Sequence, residues 1–340
     1  MIEPAHYLSS LSDSVPSGPN LEYDPDFMAL DRAQQGKPEQ VIGDSVKPAE
    51  EPDWRDVRER AEALLGRTRD LRVAVALATS LLRTEGLEGF AAGLSVIRGL
   101  LEGQWDTVHP QLDAEDHNDP TLRINSLLSL ASSDGALRAL REGPLVQSKA
   151  VGRFSLRDIR IASGKQPAPA NLAEPPKQVQ VDAAFRDADL HTLQSSATAV
   201  ALALDDIGGI DRLLIDKLGA QAPELKPLIL DLTEIKHVLG SKLAARGVGE
   251  GAGAPTNTAS GGVSATSIGA SGDINSREDV VRELDRLCEY YRRHEPSSPV
   301  PMLLRRAKRL VSKDFMEIIR DLTPGGVAEA ELLGGDKSSD

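Results

Sequence analysis

The sequence predicts an all-α protein in sections. A helical N-terminal domain covers residues 1–160 and a proline-rich linker 161–182. A small helical middle domain covers 183–245, a flexible linker 246–275, a short helical C-terminal domain 276–324 and a disordered tail 325–340. Three observations predict this. Phe, Tyr and Trp make up 3% of the 340 residues, too few for a sandwich or barrel core, which leans on aromatic and β-branched side chains. From Asp53 onward Leu and Ala recur three and four residues apart behind capping residues, the spacing of one buried helix face. Residues 246–275 are dominated by Gly, Ala, Ser and Thr, a composition that cannot bury enough surface to fold.

The first fifty residues are rich in turn formers, and 15–20 read as loop. Asp24 followed by Pro25 offers an N-cap with proline at the first helical position, opening a short helix through Phe27, Leu30 and Ala33. Residues 37–52, with three prolines and many charges, read as a connector. Asp53 caps a helix that carries Trp54, Val57, Ala61, Leu64 and Leu65 on one stripe. Leu71, Ala74, Val75, Ala78, Leu81 and Leu82 mark the next helix, which Gly86 ends. A third begins at Leu87 with Phe90, Leu94, Ile97, Leu100 and Leu101 inward. Its Gly89 and Gly93 predict the close approach of another helix, since each glycine otherwise costs about 1 kcal/mol relative to Ala. Asp119 and Pro120 open a fourth helix with Leu122, Asn125, Leu127, Leu128 and Leu130, and 137–140 form a short fifth.

Residues 164–180 hold four prolines and read as extended chain. Three helices follow, over 183–204, 208–218 and 223–243. The last buries Leu225, Leu228, Ile229, Leu232, Ile235 and Leu239, as in a hairpin or three-helix bundle. In the C-terminal unit, Ser276 with an acid three residues on reads as a helix cap. Val280, Leu284, Leu287, Cys288 and Tyr291 then form a stripe. Ser298 and Pro299 start a second helix with Leu303, Ala307, Leu310 and Val311 on one side, and Asp314 caps a last one holding Phe315, Ile318, Ile319 and Leu322. Fewer than fifty ordered residues bury too little apolar surface for comfortable stability without a disulfide, a metal or a partner. One Cys and one His supply neither of the first two. Self-association is therefore expected, through Leu303, Leu304, Ala307, Leu310, Val311 and Phe315.

Composition narrows function further. The formal charge of −13 argues against a general nucleic-acid binder and against coating anionic lipid. A lone Cys288 makes no internal disulfide. The start lacks a basic segment followed by an apolar one, and runs such as 73–78 fall far short of the roughly 20 residues that span a bilayer. A soluble cytoplasmic protein without membrane insertion is expected.

One stretch invites chemistry. Trp105, Asp106, His109, Asp113, Asp116 and His117 cluster in sequence, and two histidines among carboxylates could ligate zinc. Neither H-E-x-x-H nor C-x-x-C occurs, however, so a packed Trp105, a hydrogen-bonded His109 and capping aspartates are the stronger reading. Gly247, Gly249, Gly251 and Gly253 follow no strand, which a dinucleotide loop requires. No P-loop, nucleophile elbow or kinase signature is present. No catalytic, metal or cofactor residue is therefore assigned. The basic run Arg305, Arg306, Lys308 and Arg309 reads either as a solvated face paired with Glu283, Asp285 and Glu289, or as a charged contact surface. Candidate partner-binding residues are Trp105, Asp106, His109, Arg305, Arg306 and Arg309.

Pro16-Ser-Gly18 and Leu21-Glu-Tyr-Asp-Pro-Asp-Phe27 resemble the opening of the ImpA N-terminal region of the TssA family of bacterial type VI secretion proteins. The likeness continues through Asp53-Trp54, Asp70-Leu-Arg-Val-Ala74, Leu81-Leu-Arg-Thr-Glu-Gly-Leu87, Gly93-Leu94, Trp105-Asp106, His109-Pro110 and Leu112-Asp113. It ends near Pro144-Leu145 and Gly152-Arg-Phe-Ser-Leu156. Residues 298–322 are similar to the short C-terminal domain of one branch of that family, and 183–245 match none of its motifs. The resemblance implies no turnover chemistry and no cofactor. It implies a ring built through the C-terminal domain, associated with the apparatus on the inner-membrane side. Its partners would be baseplate, inner-tube and sheath proteins, whose recruitment and polymerisation it would prime. A helical oligomeric adaptor outside secretion is the alternative.

Overall fold

The computed structural model describes residues 2–37, 40–42, 45–48, 50–113, 115–133, 135–170, 172, 174–248, 277–294, 299–311, 313 and 317. The chain divides into two compact units, over residues 1–255 and 256–340.

The first unit opens with a 3-10 turn (Pro4–Tyr7) and a strap that leads to α1 (Pro25–Gln34), where Asp24 accepts from the Asp26 N–H and Pro25 fills the first turn as expected. A small antiparallel hairpin of β1 (Gln40–Ile42) and β2 (Ser45–Lys47) occupies what the sequence suggests is a connector. Asp53 caps α2 (Trp54–Leu65) by accepting from two backbone N–H groups, and Val57, Ala61, Leu64 and Leu65 are buried.

The centre of the unit is α3 (Leu71–Gly103), two helical halves broken at Gly86, which sits at φ 71° and ψ −146°. That conformation suits only a residue without Cβ, and it turns the second half back on the first. The halves meet where a Cβ added to Gly93 would lie 2.5 Å from Ala78 Cα. The contact predicted from Gly93 is thus made within one doubled-back helix. Twenty-one of its side chains or glycines are buried, from Leu71 to Leu101.

Beyond it come α4 (Thr121–Leu128), a 3-10 turn (Ser129–Ala131) and α5 (Ala136–Glu142). In α4 the apolar pattern misleads: Leu122 is 59% exposed while Arg123 is 1% exposed. A second hairpin follows, β3 (Pro144–Ser148) against β4 (Gly152–Ser155), with Val146 opposite Phe154 and a bulge after Pro144. Ser155 and Asp158 form a capping box at the start of α6 (Leu156–Ala162). The sequence reading passes over this hairpin and helix.

Three helices follow in different places from those expected. Chain read as linker up to residue 182 is helical from Gln178 in α7 (Gln178–Asp187). Asp189 then caps α8 (Leu190–Leu218), which runs unbroken through the glycines expected to start a new helix. Gly209 is there for space: a Cβ would lie 2.7 Å from Arg98 Nε, and Arg98 pairs with Asp205 at 2.7 Å and Asp206 at 3.3 Å. The last helix, α9 (Lys226–Ala245), buries Leu228, Leu232, Ile235 and Leu239 as its pattern requires. α8 lies along α3 and α9 packs on α8 and α5, so the helices of 183–245 share one hydrophobic cluster with those of the N-terminal region.

The second unit contains α10 (Arg277–His294) and α11 (Val300–Leu310), packed on each other. Pro299 stands at the N-cap of α11 and Pro301 lies in its first turn. The expected Ser276 cap, the tight 295–298 link, the final helix with Phe315 and the linker over 249–275 lie outside the described residues. Among the described residues no helix is long and apolar enough to cross a membrane.

Candidate functional site

The two stretches singled out by the sequence differ in what they offer a partner. At the end of α3, Gln104 Nε2 donates to Leu8 O at 3.0 Å, and Ser17 Oγ donates to Gln104 Oε1 at 2.9 Å. His109 is buried, and its Nε2 donates to Gly18 O at 3.0 Å. Its backbone N–H donates to Arg69 O at 2.9 Å, while its carbonyl accepts from the Leu71 N–H at 2.7 Å. The segment therefore fastens the strap at residues 15–20 to both ends of α3. His109, placed among the partner-binding candidates, is consumed inside the fold.

Arg123 holds the same turn from the other side. Its Nε donates to Pro110 O at 3.1 Å, Nη1 to Trp105 O at 3.0 Å, and Nη2 to Val108 O and Pro110 O, each at 2.9 Å. The guanidinium lies 4.6 Å from the centre of the Trp105 ring, within cation–π range, and Lys217 Nζ approaches that ring at 5.8 Å. Burial pushes the Arg123 guanidinium down to about 10, with Asp106 pulling the other way, and it keeps its charge at neutral pH. Trp105 is half-buried and Asp106 exposed. Of the three candidates here, these two alone face outward.

The aspartates close local turns instead of capping: Asp119 accepts from the Thr121 N–H at 3.2 Å and Asp113 from the Glu115 N–H at 2.9 Å, while Pro120 stands at the N-cap of α4. His117 sits at φ 54° with its side chain 98% exposed, 3.5 Å from Asp116. The zinc reading of His109, Asp113, Asp116 and His117 is not realised, since one histidine is locked inside and the other stands in solvent. Among the described residues no three His, Cys, Asp or Glu side chains gather into a metal-binding group.

The C-terminal unit is built differently. Lys308 Nζ reaches both carboxylate oxygens of Asp285 at 2.7 Å, and Cys288 Sγ lies 4.0 Å from Pro301 O. The expected pairing of the basic run with α10 is made there. Glu283 instead binds Arg286, and Glu289 binds Arg292 and Arg293, on their own helix. Arg292, then Arg293, holds the Glu289 carboxyl down at about 2.

Arg305, Arg306 and Arg309 are exposed. Of the residues expected at a self-contact, Leu303 is 64% exposed and Ala307 is exposed, while Leu304, Leu310 and Val311 are half-buried. Met302 at 70% and Leu287 at 46% add apolar surface that the sequence reading did not assign. Among the described residues of this unit none is fully buried.

Comparison with known proteins places these surfaces in context. The family profile described as ImpA, N-terminal, type VI secretion system, matches residues 8–132. The type VI secretion system component TssA1 of Pseudomonas aeruginosa is 42% identical, over 99% of this chain and the whole of that protein. A solved N-terminal domain of the TssA component from Burkholderia cenocepacia, which includes the conserved ImpA N-terminal region, has a similar fold. The match covers 73% of this chain and 96% of that domain, with a TM-score of 0.59 at 23% identity.

Proposed function

The chain belongs to the TssA family of type VI secretion system components, and we propose that it serves that system as a multimeric, non-catalytic assembly adaptor. In this reading the C-terminal unit joins copies into a ring. The N-terminal unit of each copy recruits baseplate parts and primes tube and sheath polymerisation on the cytoplasmic side. The observation that carries the reading is the α10–α11 pair: two amphipathic helices with no fully buried side chain among the described residues, and with Leu287, Met302 and Leu303 turned to solvent. Among the described residues this hairpin has no core of its own, and further copies of it would supply one. The low-complexity composition of 246–275 suits a tether, and many arms on one ring make individually weak contacts collectively strong. The polar groups around His109 are spent on holding the strap, so no turnover is assigned to them.

Sedimentation of the full-length protein tests this reading. The wild type is expected as a multi-copy particle. Leu303→Asp, on an exposed position that the hairpin itself does not need, is expected to reduce it to single copies with helicity retained. A carboxylate buried without a partner in an apolar contact costs more than the roughly 2–7 kcal/mol of an uncharged polar group. Wild-type protein sedimenting as a single copy at micromolar concentration would falsify the proposal.

A further inference from the structure

A polar cavity of about 270 Å³ opens between α5 and α6, lined by Ser133, Arg138, Arg141, Glu142, Arg157 and Arg160 with Gln166. Four arginines on one small cavity are unusual in a chain of net charge −13. They come as two pairs, each organised around one carboxylate. Arg138 Nε and Arg157 Nη1 share Glu142, at 3.1 and 2.9 Å. Arg141 Nε and Arg160 Nη2 share Asp231 of α9, which is 4% exposed, at 2.5 and 2.6 Å.

These bonds hold the guanidinium groups in place while using few of the five N–H donors that each carries. Arg160 also binds Glu234. Arg138, Arg141 and Arg157 each engage one nitrogen in the contacts described above, which leaves the paired donor edge that grips a carboxylate. With Lys165 on Glu234 at 2.9 Å, the cluster sets five cationic side chains against three carboxylates, an excess of two positive charges.

We propose that this cavity binds an acidic segment of a partner protein, taking two neighbouring carboxylates, one on each arginine pair. Two separate forks and a charge excess of two match two carboxylates. A single compact oxyanion would meet one pair and leave the other without a carboxylate. The site lies wholly in the first unit and is independent of ring formation.

Titration of full-length protein with a hexaglutamate peptide, and separately with inorganic phosphate, tests the proposal by calorimetry. Hexaglutamate is expected to bind, to weaken as salt rises, and to bind roughly tenfold more weakly to Arg138→Gln/Arg157→Gln, which removes two charge-assisted contacts. Arg212→Gln, on an exposed position of α8, is expected to change nothing. Phenylglyoxal labelling of the wild type needs no variant: hexaglutamate is expected to shield Arg138 and Arg157. Binding unaffected by the double change, absence of shielding, or binding of phosphate without hexaglutamate would each overturn the assignment.

Discussion

At Arg123 a single side chain satisfies three carbonyls of the turn that joins α3 to α4 while stacking on Trp105. Arg123→Met would keep much of the apolar stem but leave the oxygens of Trp105, Val108 and Pro110 without these donors inside the fold. Each such loss costs about 1–3 kcal/mol, partly relieved by water, so a destabilisation of about 3 kcal/mol is expected in urea unfolding. A change below about 0.5 kcal/mol, the usual range for surface positions, would mean that the turn has other support. This residue was not legible in the sequence. A helix reading T-L-R-I-N-S-L-L advertises its leucines, and nothing local shows that carbonyl groups ten to twenty positions upstream need a cation. His109 was half legible. Its hydrogen-bonding role was the stronger expectation, but its partner, the Gly18 carbonyl, is 91 residues away in sequence.

At the scale of elements, caps and heptad-like spacing located α1, α2, both halves of α3 and α9 well, because Asp24, Asp53 and Gly86 do locally what their chemistry suggests. The two hairpins were missed because strands of three to five residues carry too little alternation to stand out. The sequence divides α8 in two at Gly208, yet the helix runs on, and the neighbouring Gly209 makes room for Arg98. Gly93→Ala tests the crossing inside α3. The added methyl has no free volume beside Ala78, and overpacking should cost about 1–3 kcal/mol, against a helix-propensity gain of about 1 kcal/mol. A net loss of stability in urea unfolding is the expected result, and a net gain would show that the halves can separate without penalty.

A second test at this scale concerns pH. The Lys242 ammonium beside Asp182 holds that carboxyl below its ordinary value, against the opposing effect of burial, and so ties α7 to α9. An acid depressed in the folded state stabilises above its unfolded value and loses that contribution as pH falls through the folded one. Melting temperature should therefore drop as pH falls below about 4, the ordinary aspartate value, and by less in Asp182→Asn. Equal drops in the two proteins would remove Asp182 from the account of acid sensitivity.

Across the molecule, the contrast is between a first unit with one continuous core and a second with amphipathic helices and no described interior. If the second is completed by other copies, its melting depends on protein concentration, while that of the first does not. Calorimetry over a hundredfold range of concentration should then show one transition that moves up and one that stays. Two stationary transitions would argue for a self-sufficient hairpin. This asymmetry was readable in advance from the small size of the terminal unit. Leu303 and Ala307, expected at the self-contact, are outward, but Met302 and Leu287 were not legible, since they look like ordinary core residues until the packing of α10 on α11 is known.

The strap before α1 is buckled to the rest at several points: Leu8 over Gly99, Ser17 on Gln104, Gly18 on His109. A shortened chain beginning at Leu21 would uncover the flank of α3 and strand the imidazole in an apolar setting. Those fastenings make the strap the latch that shuts the first unit.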